Sequence, residues 1–130
     1  MTRSETTRTV VLFVYGTLMR GGKRHRVLAG QRFLGEARTR PHYVLVDLGA
    51  YPGLVHAQSG GQTIYGELYE IESDLISRLD RIEGAPRLFR LESVQIEGYP
   101  GEVFAYFYQQ STQGLLLCSE GRWRNQRFTS

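Results

Sequence analysis

The sequence predicts an α+β fold: a mixed, strongly curved sheet tending toward a small barrel, with one clear helix near the middle of the chain. Three observations carry that expectation. Several apolar or alternating runs have strand length, one segment changes to the helical period, and glycine or proline clusters separate them. The chain has 130 residues, the size of a single domain (1–130) able to bury a core without disulfides.

Residues 1–9, "MTRSETTRT", are polar and lack the apolar core of a signal peptide, so they read as a flexible N-terminus. Val10–Tyr15 is a continuous apolar run, as expected of a strand covered on both faces. It stops at Tyr15-Gly16-Thr17-Leu18, and two more glycines follow at 21 and 22. Residues 23–29 suit a short helix with Val27 and Leu28 inward. "HYVLVDL" (42–48) is a second strand, and "YPG" (51–53) has turn chemistry. "TIYGELYEI" (63–71) alternates like a strand, with Gly66 marking a bulge or a close backbone approach. "SDLISRLDRIEG" starts at Ser73 or Asp74, stops at Gly84 and is helical between. "FRLESVQIEG" (89–98) and "GEVFAYFYQ" (101–109) are two strands joined by a hairpin. The tail beyond carries the weakest signal.

Composition excludes several classes. Hydrophobic content of 41% and charged content of 22% are ordinary for a globular chain. The net charge of +3 is concentrated at Arg20, Lys23, Arg24, Arg26, Arg32, Arg38 and Arg40, opposed there only by Glu36. Without a zinc-finger or aromatic-interleaved pattern, this reads as a solvated basic face, and no nucleic-acid partner is expected. Cys118 is the single cysteine, which rules out an intrachain disulfide and a cysteine metal cluster. No apolar run approaches the roughly 20 residues that span a bilayer. No membrane partner is therefore expected, and the cytoplasm is the default location.

The helix offers the strongest chemical candidate. With Leu75 at zero, Leu79, Ile76 and Ile82 fall at about 40°, 100° and −20°, and Glu83 at about 80°, inside the apolar arc. Asp80, Arg78, Arg81 and Asp74 fall outside it. A carboxylate facing a core at a helix C-terminus has little solvent and an unfavourable dipole. Both raise its pKa, which suits a group that exchanges a proton near neutrality. The competing reading lets the helix end rotate Glu83 into water. Glu67, on a strand face with Tyr65, Tyr69 and Ile71, reads as a satisfied inner polar residue or as part of a face that is not core, and nothing in the spacing demands that it pair with Glu83.

The loop at 16–23 nearly spells a phosphate-binding loop, but its lysine and hydroxyl offsets are wrong. Backbone amides in a concave turn can instead hold a carboxylate or an oxyanion. His25, His42 and His56 lack metal-ligand spacing, and Cys118 in "LLLCSEG" reads as core rather than nucleophile.

The segments "FVYGTLMRGGKRHRVL" (13–28), "YPGLV" (51–55), "YGELYEI" (65–71) and "LDRIEGAPRLFR" (79–90) resemble the γ-glutamylcyclotransferase-like family, which includes γ-glutamylamine cyclotransferase and AIG2-type proteins. The resemblance implies a small mixed β-barrel flanked by helices. It implies that Tyr15, Gly16, Thr17 and Leu18 line the substrate cavity and offer N–H groups to a γ-glutamyl moiety, and that Glu83 is the acid/base. The implied reaction needs no metal or organic cofactor: the substrate's α-amino group attacks its own γ-carbonyl, releasing an amine and 5-oxoproline. A non-catalytic module binding a small carboxylate-bearing metabolite in the same cavity is the alternative. Two departures bear on the substrate: Phe89 stands where many relatives have tyrosine, and Arg24 where asparagine is common. The leaving-group pocket is expected among the loops of 30–60 and the tail.

Overall fold

The computed structural model describes residues 8–124. Strand β1 (Thr9–Val14) pairs antiparallel with β5 (Tyr65–Glu72), from Thr9↔Glu72 to Val14↔Glu67. On the far edge of β5 lies β2 (Arg32–Arg38), antiparallel and interrupted by a bulge between Phe33 and Gly35. β3 (Tyr43–Asp47) and β4 (Pro52–His56) form a hairpin, and β8 (Leu116–Leu117) borders β3. β6 (Phe89–Ser93) and β7 (Phe104–Tyr108) pair antiparallel after the helix α1 (Leu75–Glu83).

β7 organises the sheet. One of its edges is taken along its length by β6, so the other is shared: β1 runs parallel to it at Leu12↔Phe104 and β4 at Leu54↔Phe107. β1 and β4 therefore diverge from β7 as a fork. The Tyr15 hydroxyl sits in that fork, donating to the Tyr106 carbonyl at 2.7 Å and accepting the Leu54 N–H at 3.2 Å. One side chain thereby satisfies two backbone groups that the split ladder leaves over.

The sheet also curls back on itself. Thr39, just past β2, bridges Ile96, just past β6, with Arg40 N–H donating to Gln95 and Glu97 N–H to Arg38. The Thr39 side chain is fully buried, accepts the Ile64 N–H and donates to the Arg40 carbonyl. This clasp makes β2, β5, β1, β7 and β6 a small mixed barrel, from which β4, β3 and β8 branch at the fork.

Both faces of the sheet are covered, as the unbroken apolar run of β1 predicts. Phe13, Leu45, Leu54, Leu68, Ala105 and Phe107 fill one face, while Leu12, Val14, Ile71 and Tyr106 pack on the other against Leu79 of α1 and Leu28. The helix expected over 23–29 is a single 3₁₀ turn, His25–Leu28, with Leu28 buried. Gly66 is the close-approach kind of strand glycine: a Cβ there would stand 2.2 Å from the Val14 carbonyl oxygen.

The structure also departs from, or adds to, the sequence reading. β2 was hidden because arginines and a bulge glycine break its alternation, and it is largely exposed. Of "YPG" only Tyr51 belongs to the β3–β4 turn, and Pro52 and Gly53 open β4, with Pro52 at the first strand position, where its missing N–H matters least. The tail adds the short β8 and a 3₁₀ turn over Ser119–Gly121. Of the N-terminus expected to be flexible, residues 1–7 lie outside the described residues. Thr9 already belongs to β1, and the Arg8 carbonyl accepts the Ser73 N–H at 2.8 Å. Among the described residues no helix is long and apolar enough to cross a membrane.

Candidate active site

Beyond Val14 the chain turns and doubles back. Met19 N–H donates to the Gly16 carbonyl, Gly22 N–H to Met19, and Arg24 N–H to Thr17 at 2.9 Å. The doubling back requires the glycines. Gly21 has φ 84°, and a Cβ on Gly22 would stand 2.2 Å from the Thr17 oxygen. His25 braces the loop from outside, its Nδ1 2.9 Å from the Leu18 carbonyl oxygen. Gly16 lies against Pro52, whose ring carbons would be 2.7 Å from an added Cβ. So the glycine of "YGT" and the proline of "YPG" form one close contact. Among the described residues the N–H groups of Gly16, Thr17 and Leu18 find no acceptor, although all three residues line a cleft.

The opposite wall is the end of α1. Gly84 closes the helix at φ 66° in the left-handed region, and its N–H reaches back to the Arg81 and Asp80 carbonyls. That fixes Glu83 as the last helical residue, with Leu79 one turn earlier fully buried. Glu83 is partly buried, and among the described residues its carboxylate has no hydrogen bond or ion pair. Burial raises its pKa from 4.5 to about 7, with the Arg24 charge pulling the other way. Its charge is also felt by Tyr15 and Tyr106, whose hydroxyls are held well above their usual value chiefly by burial.

The cleft measures about 410 Å³ including its open mouth. Phe13, Val14, Tyr15, Gly16, Leu18, Pro52, Phe89 and Tyr106 form its buried floor, and Thr17, Arg24, Tyr51 and Glu83 its partly exposed rim. The fold thus brings Tyr15, Gly16, Thr17 and Leu18 to one cleft with Glu83. Tyr15 contributes backbone and ring there, because its hydroxyl is committed to the fork. Tyr51, Pro52 and Tyr106 were not singled out by sequence. The sequence signal for the first two was their place in "YPGLV", one of the segments that resemble the family. Asp80, placed outside the apolar arc, is half-buried and accepts the Tyr106 hydroxyl at 2.7 Å.

Glu67 takes the structural reading. It is 7% exposed and accepts three hydrogen bonds: Arg20 N–H and Nε at 3.0 Å and the Tyr69 hydroxyl at 3.2 Å. It does not line the Glu83 cleft. Arg20 also lies over the Phe33 ring and within 3.5 Å of Glu36, so this part of the basic face is paired rather than merely solvated. Cys118 is buried and its thiol pushed up to about 11 by burial and then by Asp47, which suits packing and not nucleophilic attack. Among the described residues no group of three or more His, Cys, Asp or Glu could hold a metal ion.

Residues 12–125 match the profile of the family described as gamma-glutamyl cyclotransferase, AIG2-like. The chain belongs to that family. A Vibrio cholerae relative, named only provisionally as a γ-glutamylcyclotransferase, is 36% identical over 113 residues, covering 87% of this chain and 94% of its own. The γ-glutamylaminecyclotransferase of Rattus norvegicus is 32% identical over 116 residues, covering 78% of each chain. In fold, this γ-glutamylcyclotransferase-family chain matches the crystal structure of an AIG2-like protein from Mus musculus with a TM-score of 0.74. That match has 24% identity and covers 95% of this chain and 99% of the other. The family is named for an enzyme activity on γ-glutamyl compounds.

Proposed function

We propose that the chain is a γ-glutamyl cyclotransferase that converts a γ-glutamyl amine or γ-glutamyl amino acid into 5-oxoproline and a free amine. One observation carries this reading: Glu83, whose pKa is raised to about 7, shares a cleft with the unpartnered amides of Gly16, Thr17 and Leu18. The reaction joins two ends of one molecule, so the protein mainly has to hold the compact conformer.

The substrate's α-ammonium is not a nucleophile, and the Glu83 carboxylate takes a proton from it. The freed amine attacks the γ-carbon, and the carbonyl oxygen becomes an oxyanion that the loop amides can stabilise. The bond from the γ-carbon to the leaving nitrogen then breaks as Glu83 returns its proton to that nitrogen. The attacking nitrogen sheds a second proton as the ring forms, so 5-oxoproline keeps one N–H and the leaving group departs as an ammonium. Nothing in these steps needs a metal or an organic cofactor, and a carboxyl titrating near 7 can serve as both base and acid. The small-molecule γ-glutamyl substrate is the only partner the reading requires.

Incubation with a panel of γ-glutamyl amines and amino acids, with 5-oxoproline measured, tests it. Product is expected from at least one substrate, and the Glu83→Gln protein is expected to make almost none. Binding of 5-oxoproline without turnover of any substrate would favour the non-catalytic reading instead.

A further inference from the structure

Among the described residues Arg24 is the only cation on the rim of the cleft. Its main chain is fastened on both sides: its N–H donates to the Thr17 carbonyl at 2.9 Å, and its own carbonyl accepts the Val27 N–H at 3.0 Å. The root of the side chain is therefore held at a fixed place relative to the loop amides. Its guanidinium carbon lies 5.6 Å from the centroid of the Tyr51 ring, and Tyr51 in turn packs at a tilt against Phe89. Among the described residues no carboxylate comes within ion-pair distance of Arg24. A guanidinium held against an aromatic face, with its donors unspent, is built to receive a planar anion.

The position of that anion follows from the layout. On the cyclotransferase reading, the reacting γ-carbon and both nitrogens have to lie within reach of Glu83, and the γ-glutamyl half takes the buried floor beside Gly16 and Leu18. Whatever hangs from the leaving nitrogen passes out over the rim, where Arg24 and Tyr51 stand. We propose that Arg24 is a specificity-determining residue that receives a carboxylate on the leaving group. The preferred substrates are then γ-glutamyl amino acids, and γ-glutamyl derivatives of cationic diamines are disfavoured. This rests on the cyclotransferase reading above and narrows its substrate class.

The test compares kcat/KM for γ-glutamylalanine, γ-glutamylalaninamide and γ-glutamylputrescine in the wild type, Arg24→Gln and Arg24→Lys. The ratio between substrates is the quantity to read, because any effect of Arg24 on Glu83 cancels from it. The wild type is expected to favour the carboxylate over the amide by about tenfold or more, the range of one charge-assisted contact. The diamine derivative is expected to be poorer still. Arg24→Gln is expected to bring the three substrates close together by losing activity toward the carboxylate, and Arg24→Lys to keep part of the preference. Equal rates in the wild type overturn the inference, as does an Arg24→Gln protein that loses the same factor on all three. The latter would place Arg24 on the γ-glutamyl half. If Arg24→Gln fails to fold, the wild-type ratios and Arg24→Lys still decide. Turnover without preference sinks this inference alone, whereas no turnover of any substrate sinks the cyclotransferase reading with it.

Discussion

Glu83 and Glu67 are both carboxylates set against apolar surroundings, and the molecule treats them in opposite ways. Glu67 sits mid-strand with three donors, two from Arg20 and one from Tyr69, and the Tyr69 hydroxyl is itself pushed up to about 12 by burial and the neighbouring carboxylate. Glu83 sits at a helix end with none among the described residues, and burial lifts its pKa to about 7. Burial alone does not make a proton-transfer group. Glu83 has no donor aimed at its carboxylate among the described residues, whereas Glu67 is fastened into a network of three hydrogen bonds.

The largest expected effect separates the two directly. Glu83→Gln should cut kcat by about 10²- to 10⁴-fold, the usual contribution of general acid–base catalysis. The same change should alter stability in opposite directions at the two sites. A raised native pKa means that the native state holds its proton more tightly than the unfolded chain. The stabilisation from Glu83 is therefore complete below about 4.5 and lost as pH rises through about 7. At pH 8 the Glu83→Gln protein should be more stable than wild type by about 1–3 kcal/mol, with the gain gone near pH 4. Glu67→Gln, which loses charge-assisted bonds, should instead be destabilised by about 2 kcal/mol. Urea unfolding of both variants at the two pH values measures this. Destabilisation by both at pH 8 would break the comparison.

A subtler effect lies in the pH profile. On the proposed mechanism the rate needs ionised Glu83, so kcat/KM should rise with pH through a limb near 7. Arg24→Gln should move that limb upward, because the guanidinium favours the ionised form, and Glu67→Gln should leave it where it is. The smallest effect is expected from Arg20→Met. The Arg20 backbone N–H and the Tyr69 hydroxyl still reach Glu67 without the guanidinium, so the urea midpoint should fall less than in Glu67→Gln.

Much of this was legible before the structure. The helix and its glycine stop follow from one period and one cap, both local, whereas the inward turn of Glu83 was legible only as one of two readings. The β1 run announces a strand covered on both faces. Gly66 announces a close approach, though only the structure shows that the Val14 carbonyl is what approaches. β2 and β4 were not legible. One carries arginines on a solvent face and the other opens with proline and glycine, so neither has the pattern that marks a strand. Glu67 was legible only as a choice, because its decisive donor, Arg20, comes from a loop far away in sequence.

Local rules thus determined which residues were chemically unusual: a glycine loop after a buried strand, and a carboxylate on the apolar side of a helix end. Only the tertiary structure decided which of them meet. β7 shares one edge between two diverging strands, Tyr15 bridges the gap, Pro52 presses on Gly16, and the end of α1 comes to rest opposite. Periodicity and capping act over a turn or two of chain, whereas the cleft is made of contacts between segments about 40 to 90 residues apart, which no local pattern encodes.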